Sequence, residues 1–191
     1  MSQPKLSILI PTLVSRREIR KPLMAKLDAL ADQSGAKVEI IPLEDNRERT
    51  IGAKRNELLQ MASGEFSAMV DDDDDVTITY VYNIVKAIED HPTVDCIGML
   101  GEMRINNRFH KWFKHSTQYD HYFHDSKFYY RPPNHLNPIR TEIARQFKYT
   151  DSSFGEDTEW AMQLVEAKAL KSEYFVTQPV YIYKYLRKKY F

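Results

Sequence analysis

Phe66-Ser67-Ala68-Met69-Val70-Asp71-Asp72-Asp73-Asp74-Asp75 joins a β-prone apolar run to five consecutive carboxylates. A short apolar run of this kind reads as a buried strand, and a strand end is a rigid mount for a site. Two unit charges roughly 4 Å apart repel by about 4 kcal/mol at an effective dielectric near 20. The run therefore needs either full solvation or a cation. Hard divalent ions favour carboxylate oxygens and often share their shell with substrate phosphates. The competing reading is a solvated acidic turn that caps the next helix.

The flanking sequence decides what kind of sheet this strand joins. Residues 6–10 read as a buried strand stopped by Pro11, and residues 38–43 as a second strand ending near Pro42. Residues 19–30 carry Ile19, Leu23, Leu27 and Leu30 at helical spacing. Residues 51–61 read as a helix with Leu58, Leu59 and Met61 inward, closed by Ser63-Gly64. A third helix is expected over 76–89, with Asp74 and Asp75 capping it, and a fourth strand over 94–100. This alternation predicts an α/β fold, a mostly parallel central sheet with helices on both faces. Such sheets bind ligands beyond the carboxyl ends of their strands, where the aspartates lie.

After residue 100 the pattern changes. Residues 103–113 read as a hairpin turning at Asn106-Asn107. Residues 109–131 are dense in Phe, Tyr, Trp and His, helices are expected over 139–147 and 156–169, and a last strand over 174–185. No linker or repeat interrupts the chain, so a single domain over 1–191 is expected.

Composition narrows the function classes. With 191 residues, 42% hydrophobic and 28% charged, the chain is long enough for a full core. Its zero net charge gives no overall pull towards nucleic acid or membrane, although Lys184, Arg187, Lys188 and Lys189 form a basic tail. A lone Cys96 excludes an intramolecular disulfide framework and reads as a core residue in a reducing compartment. No apolar run approaches the roughly 20 residues of a membrane span, and residues 5–10 are too short for a signal h-region. A cytoplasmic protein is expected.

Five pieces in order carry a family resemblance: Pro11-Thr12, Glu44-Asp45-Asn46, Gly52-Ala53-Lys54-Arg55-Asn56, Asp71-Asp72-Asp73 and Gly155-Glu156-Asp157. In that order they resemble family 2 glycosyltransferases of the GT-A fold, over residues 5–100 and 134–185. The resemblance implies an inverting transfer of a sugar from a nucleotide-diphosphate donor, by default a UDP-sugar, aided by Mn²⁺ or Mg²⁺. It assigns residues 1–100 to the nucleotide sugar and 101–191 to acceptor binding and catalysis.

The same resemblance distributes the roles. Pro11, Thr12 and Asp45 fall where relatives line the base pocket, and Gly52 and Arg55 where they face the diphosphate. Helix starts with free amides and cations suit such a group. Asp71 and Asp72 fall at the nucleotide, with Asp73 and Asp71 as metal ligands, and Asp157 as the base that takes the acceptor proton. Glu156, His135 and Trp112 are expected near the acceptor. Many relatives place a metal-binding histidine in the last strand, and residues 181–185 contain none. The acceptor is left open between a glycan and a modified DNA base, which some phage-encoded relatives use. His121 and His124 lack the second ligand pair of a structural zinc site. Two other classes compete. A nucleotidyltransferase would want a Gly-rich loop that Leu13-Val14-Ser15-Arg16 does not supply. A non-catalytic module binding cations or nucleic acid would leave the charged runs as mere surface.

Overall fold

The computed structural model describes residues 3–186, so Arg187, Lys188 and Lys189 lie outside the described residues. In chain order the elements are β1 (Leu6–Leu13), a 3₁₀ turn (Val14–Arg16), α1 (Arg17–Ser34), β2 (Val38–Asp45), α2 (Ile51–Met61), β3 (Phe66–Met69), β4 (Asp75–Val76) and α3 (Tyr80–Asp90). There follow β5 (Cys96–Ile105), β6 (Arg108–His115), β7 (Phe123–His124), β8 (Phe128–Arg131), β9 (Ile139–Arg140), α4 (Thr141–Ala144), α5 (Glu156–Glu166) and β10 (Glu173–Tyr185).

These strands form one sheet in the order β2-β1-β3-β9-β5-β6-β8-β7, with β10 alongside β5 and β4. β1 pairs in parallel with both β2 and β3, and β5 in parallel with β10. β9 runs antiparallel between β3 and β5 and stitches the two parallel groups together. One core layer packs α1 and α3 residues such as Leu27, Ile84 and Ile88 on Ile8, Phe66 and Ile97. The other packs Leu58, Trp160 and Leu164 on Leu9, Met69 and Cys96. The buried strands read as continuous apolar runs because both faces are covered. Among the described residues no helix is long and apolar enough to cross a membrane.

Several boundaries differ from the sequence-based expectation. β1 continues through Pro11 to Leu13, because β3 pairs only as far as Leu9 and Pro11 needs no ladder bond on that side. β2 continues through Pro42 as an edge strand, where proline is tolerated. The third helix starts at Tyr80, since Asp75–Val76 instead pairs antiparallel with Tyr181 and Ile182 of β10. Ile139 begins a strand rather than a helix, and α5 ends at Glu166. Ile19, in the first turn of α1, and Met61, the last residue of α2, are exposed rather than inward. The β5–β6 hairpin turns at Asn106-Asn107, both left-handed (φ 50° and 64°), the backbone of a two-residue hairpin turn that asparagine tolerates.

Candidate active site

The carboxyl ends of β1, β2 and β3 bring Thr12, Asp45 and Asp71 to one edge of the sheet, and α2 starts beside them. Thr50 caps α2 by accepting the Ala53 amide at 3.1 Å. Gly52 donates its amide to the Ser152 carbonyl at 2.9 Å. A Cβ on Gly52 would stand 1.9 Å from the Thr150 carbonyl oxygen, so only glycine lets the segment before α5 lie against the first turn of α2. That contact sets Glu156 and Asp157, at the start of α5, near the end of β3.

Arg55 and His135 complete the link. Arg55 is 4% exposed and donates to Asp71 Oδ1 at 3.1 Å. Its Nη1 lies 3.1 Å from Glu156 Oε1 without hydrogen-bond alignment. The guanidinium rests 5.7 Å from the centroid of Tyr149, which stacks on Trp160. His135 Nε2 stands 3.3 Å from Asp71 Oδ2 and its Nδ1 3.7 Å from Asp157 Oδ2. That Nδ1 is buried with no hydrogen-bond partner. The ring is fixed by a buried turn in which the Met69 amide donates to the His135 carbonyl at 2.8 Å. Burial would raise the Asp71 carboxyl, but Arg55 and His135 outweigh it and hold it far below the usual carboxylate range. Asp71 is thus an ionised hub with Glu156 on one arm and Asp157 on the other.

The remaining aspartates divide differently from the expected pattern. Asp72 accepts the Thr12 hydroxyl at 2.5 Å and lies 3.0 Å from Arg16 Nη2, and burial raises its carboxyl. Asp73 is 55% exposed and pairs with the same Arg16 nitrogen at 2.9 Å. Asp74 and Asp75 do not cap α3. Asp74 is buried, accepting the Tyr181 hydroxyl at 2.8 Å and the Lys184 amide at 2.7 Å. Asp75 pairs with Lys26 at 2.5 Å and Lys184 at 3.2 Å. β10 claims both residues because β4 forms where a helix start was expected.

Burial, followed by the negative charge of Asp71, pushes the Asp74 carboxyl up to about 8. An acid whose folded pKa exceeds its unfolded value near 3.9 binds more protons when folded, so its contribution to stability falls as pH rises between them. Asp74→Asn is therefore expected to lose part of the wild-type decline in stability from about pH 4 to about pH 8. Urea unfolding of both proteins across that range checks this, and parallel pH profiles would contradict it.

Residues not singled out from sequence also build the site. Lys54 is fully buried, 2.5 Å from Asp45 Oδ1 and 2.6 Å from the Thr12 carbonyl. Asp45 further accepts the amides of Arg47 at 3.0 Å and Arg49 at 3.1 Å. Burial opposes its ionisation, yet Lys54 and these amides hold its carboxyl below the ordinary value. Arg16 and Tyr149 complete the lining. A signal for Lys54 existed in the sequence: like the expected Arg55, it lies three or four residues from Ile51 and Leu58, on the inward stripe of α2.

Trp112 stands apart from this group. It packs on Phe109 (centroids 5.0 Å apart) and alternates with the buried Phe113 along β6. His121 pairs with Asp120 and His124 meets Tyr129 edge-on. Among the described residues no group of three or more His, Cys, Asp or Glu side chains is arranged to hold a metal ion by itself.

A mostly parallel sheet with helices on both faces is the fold of GT-A glycosyltransferases. The chain belongs to glycosyl transferase family 2, whose model matches residues 23–164. No curated protein matches the sequence. Among solved structures, S. aureus TarS 1-349 in complex with UDP-GlcNAc superposes with a TM-score of 0.64 at 13% identity, covering 97% of this chain and 60% of that one. TarS 1-349 alone gives 0.61 at 17% identity, covering 94% and 60%. The catalytic domain of Drosophila beta1,4galactosyltransferase 7, complexed with xylobiose, gives 0.54 at 15% identity, covering 97% and 66%. These likenesses show the fold, and the chain spans about 60% of the length of the TarS structure.

Proposed function

We propose that the protein moves a sugar from a nucleoside-diphosphate donor, a UDP-sugar, to an acceptor hydroxyl with inversion at the anomeric carbon. The observation that carries this reading is the hub at Asp71, joined through Arg55 to Glu156 and through His135 to Asp157. It couples the strand end suited to a diphosphate with a half-buried carboxylate suited to take a proton. Asp157 removes the acceptor hydroxyl proton as that oxygen bonds to the anomeric carbon. The bond from that carbon to the diphosphate breaks on the opposite face, and the nucleoside diphosphate leaves with its electron pair. The UDP-GlcNAc complex of TarS, a structure of the same fold, supports the donor class.

Within this reading residues 1–100 serve the donor and 101–191 the acceptor side of one domain. Pro11, Thr12 and Asp45 line the base pocket. Lys54 and two amides occupy most lone pairs of Asp45, so base readout falls to the remaining one on Oδ2. Arg55 faces the diphosphate end, where it also holds Asp71 in place, whereas Gly52, its amide given to Ser152 and its open side packed on the Thr150 carbonyl, shapes that end without contacting the ligand. Asp71 and Asp72 sit at the nucleotide. The lone, buried Cys96 suits the reducing cytoplasm.

The acidic edge fits a divalent cation, Mn²⁺ or Mg²⁺. Asp73 presents an exposed carboxylate whose partner is a single arginine, and Asp71 is kept ionised. Two carboxylates plus substrate phosphates match the way Mg²⁺ is commonly bound. Asp71 and Asp73 would hold the ion, which when bound supplies charge stabilisation to the departing diphosphate. Calorimetry of UDP with and without Mn²⁺ tests the reading. UDP affinity should rise with Mn²⁺, and Asp73→Asn should lower the Mn²⁺-dependent part by about tenfold or more. Absence of UDP binding in both conditions would overturn the donor assignment.

A further inference from the structure

Arg16, which ends the 3₁₀ turn after β1, meets two of the five aspartates through a single atom. Its Nη2 lies 3.0 Å from Asp72 Oδ1 and 2.9 Å from Asp73 Oδ2. The other oxygen of Asp72 is fixed by the Thr12 hydroxyl at 2.5 Å, and that hydroxyl accepts Arg20 Nη1 at 3.1 Å. The two carboxylates therefore converge on a point that a cation already holds. Arg16 makes no further ion pair among the described residues, and its Nε is buried without a hydrogen-bond partner. Contact through one nitrogen leaves unused the planar fork with which a guanidinium takes phosphates bidentately.

Two cations cannot share these oxygens. Asp73 is a proposed ligand of the divalent ion, and an ion bound there would lie beside the Arg16 charge. Like charges that close repel strongly in a partly desolvated site, so Asp73 either keeps Arg16 or takes the ion. There is room for the exchange. A cavity of about 230 Å³ opens on both carboxylates, between Ile19, Leu23, Lys26 and Lys184. At roughly 30 Å³ per water it accommodates an ion that keeps several of its waters. The Arg16 side chain is 32% exposed, so its flexible stem can swing without repacking the core. Once displaced, the guanidinium remains at the same strand end, where a diphosphate brings the anion it has lost.

We propose that Arg16 is a donor-binding residue held in reserve: it neutralises Asp72 and Asp73 until a divalent cation takes Asp73, then turns its fork to the diphosphate that arrives with the ion. The inference rests on the transferase reading and adds a phosphate-binding residue to it. It also sets an order, in which Arg16 grips the nucleotide only after the ion has replaced it on Asp73.

The test titrates the full chain with Mn²⁺ alone, read by loss of the free-ion EPR signal, and then with UDP at saturating Mn²⁺, read by calorimetry. Arg16→Gln removes the competitor and the phosphate contact together, so the two constants should move in opposite directions. Mn²⁺ should bind about tenfold more tightly and UDP about tenfold more weakly. A role confined to the fold would weaken both. Arg16→Lys keeps the charge without the fork, and should hold Mn²⁺ affinity within about threefold of wild type while UDP still binds more weakly. Arg17→Gln removes the same charge one residue on, from a side chain paired with Glu44. It should leave both constants within about twofold, since exposed charges are screened. An unchanged Mn²⁺ or UDP constant in Arg16→Gln, or equal shifts in Arg17→Gln, would overturn the proposal. UDP binding with no Mn²⁺ binding in either protein would remove the ion and the proposal with it. Failure of the donor reading shows separately, as absent UDP binding while Arg16→Gln still tightens Mn²⁺.

Discussion

Asp157→Asn is expected to lower sugar transfer by about 10² to 10⁴-fold, the usual contribution of a positioned general base. UDP affinity should stay within a few-fold of wild type. Asparagine keeps the shape of the side chain, and its amide oxygen can still accept the Thr158 N–H that Asp157 Oδ1 accepts at 2.8 Å. The helix start and its contact with α2 depend on Gly52, Ser152 and Thr50, not on this carboxylate. What the variant loses is a lone pair basic enough to take the acceptor proton while the leaving group departs. The donor end is anchored on Asp71, whose partners Arg55 and His135 are unchanged. Single-turnover transfer and UDP calorimetry on the same preparation separate the two effects. Turnover within tenfold of wild type would remove Asp157 as the base. A matching loss of UDP affinity would move it to donor binding.

The fold was legible because its first half obeys local rules. Apolar runs at 6–10, 38–43 and 66–70 alternate with helical stripes, and the sheet follows from that alternation. The approach of residues 71, 135, 156 and 157 was only partly legible. Residues 156 and 157 reach residue 71 because Gly52 admits the Thr150 carbonyl, and His135 because the Met69 amide bonds its carbonyl; no local pattern announces either contact across the sequence. Asp74 and Asp75 depart from the expected helix cap for a related reason. Asp is a good N-cap in isolation, but the pairing of Asp75–Val76 with β10 more than a hundred residues later takes precedence over that preference. Lys54, beside the expected Arg55, was the missed signal with the plainest warrant. Cations on the apolar stripe of a buried helix require carboxylates facing them, and Asp45 and Asp71 are those carboxylates.

Lys54→Met should cost about 3 to 5 kcal/mol of stability, the range for breaking a buried ion pair by removing one partner. The loss is large because Lys54 is fully buried and serves two acceptors, Asp45 Oδ1 and the Thr12 carbonyl. Methionine fills the volume of the stem but leaves the Asp45 charge with the Arg47 and Arg49 amides and the more distant Arg49 guanidinium at 3.9 Å, and the Thr12 carbonyl without its Lys54 partner. Adding Asp45→Leu should recover part of the loss, since the orphaned carboxylate rather than the missing ammonium carries most of the penalty. The pH dependence follows from the lowered Asp45 carboxyl. A depressed folded pKa contributes stability above the unfolded value near 3.9, and that contribution disappears as pH falls through the folded one. The gap between wild type and Lys54→Met should therefore narrow below about pH 4. Urea unfolding at pH 7 and pH 3 measures it, and a gap under about 1 kcal/mol at pH 7 would show that the pair contributes little. Because Lys54 ties β2 to β1 beside the proposed base pocket, the double variant should regain stability but not UDP affinity. It would thereby separate what the pair does for the fold from what Asp45 does for the donor.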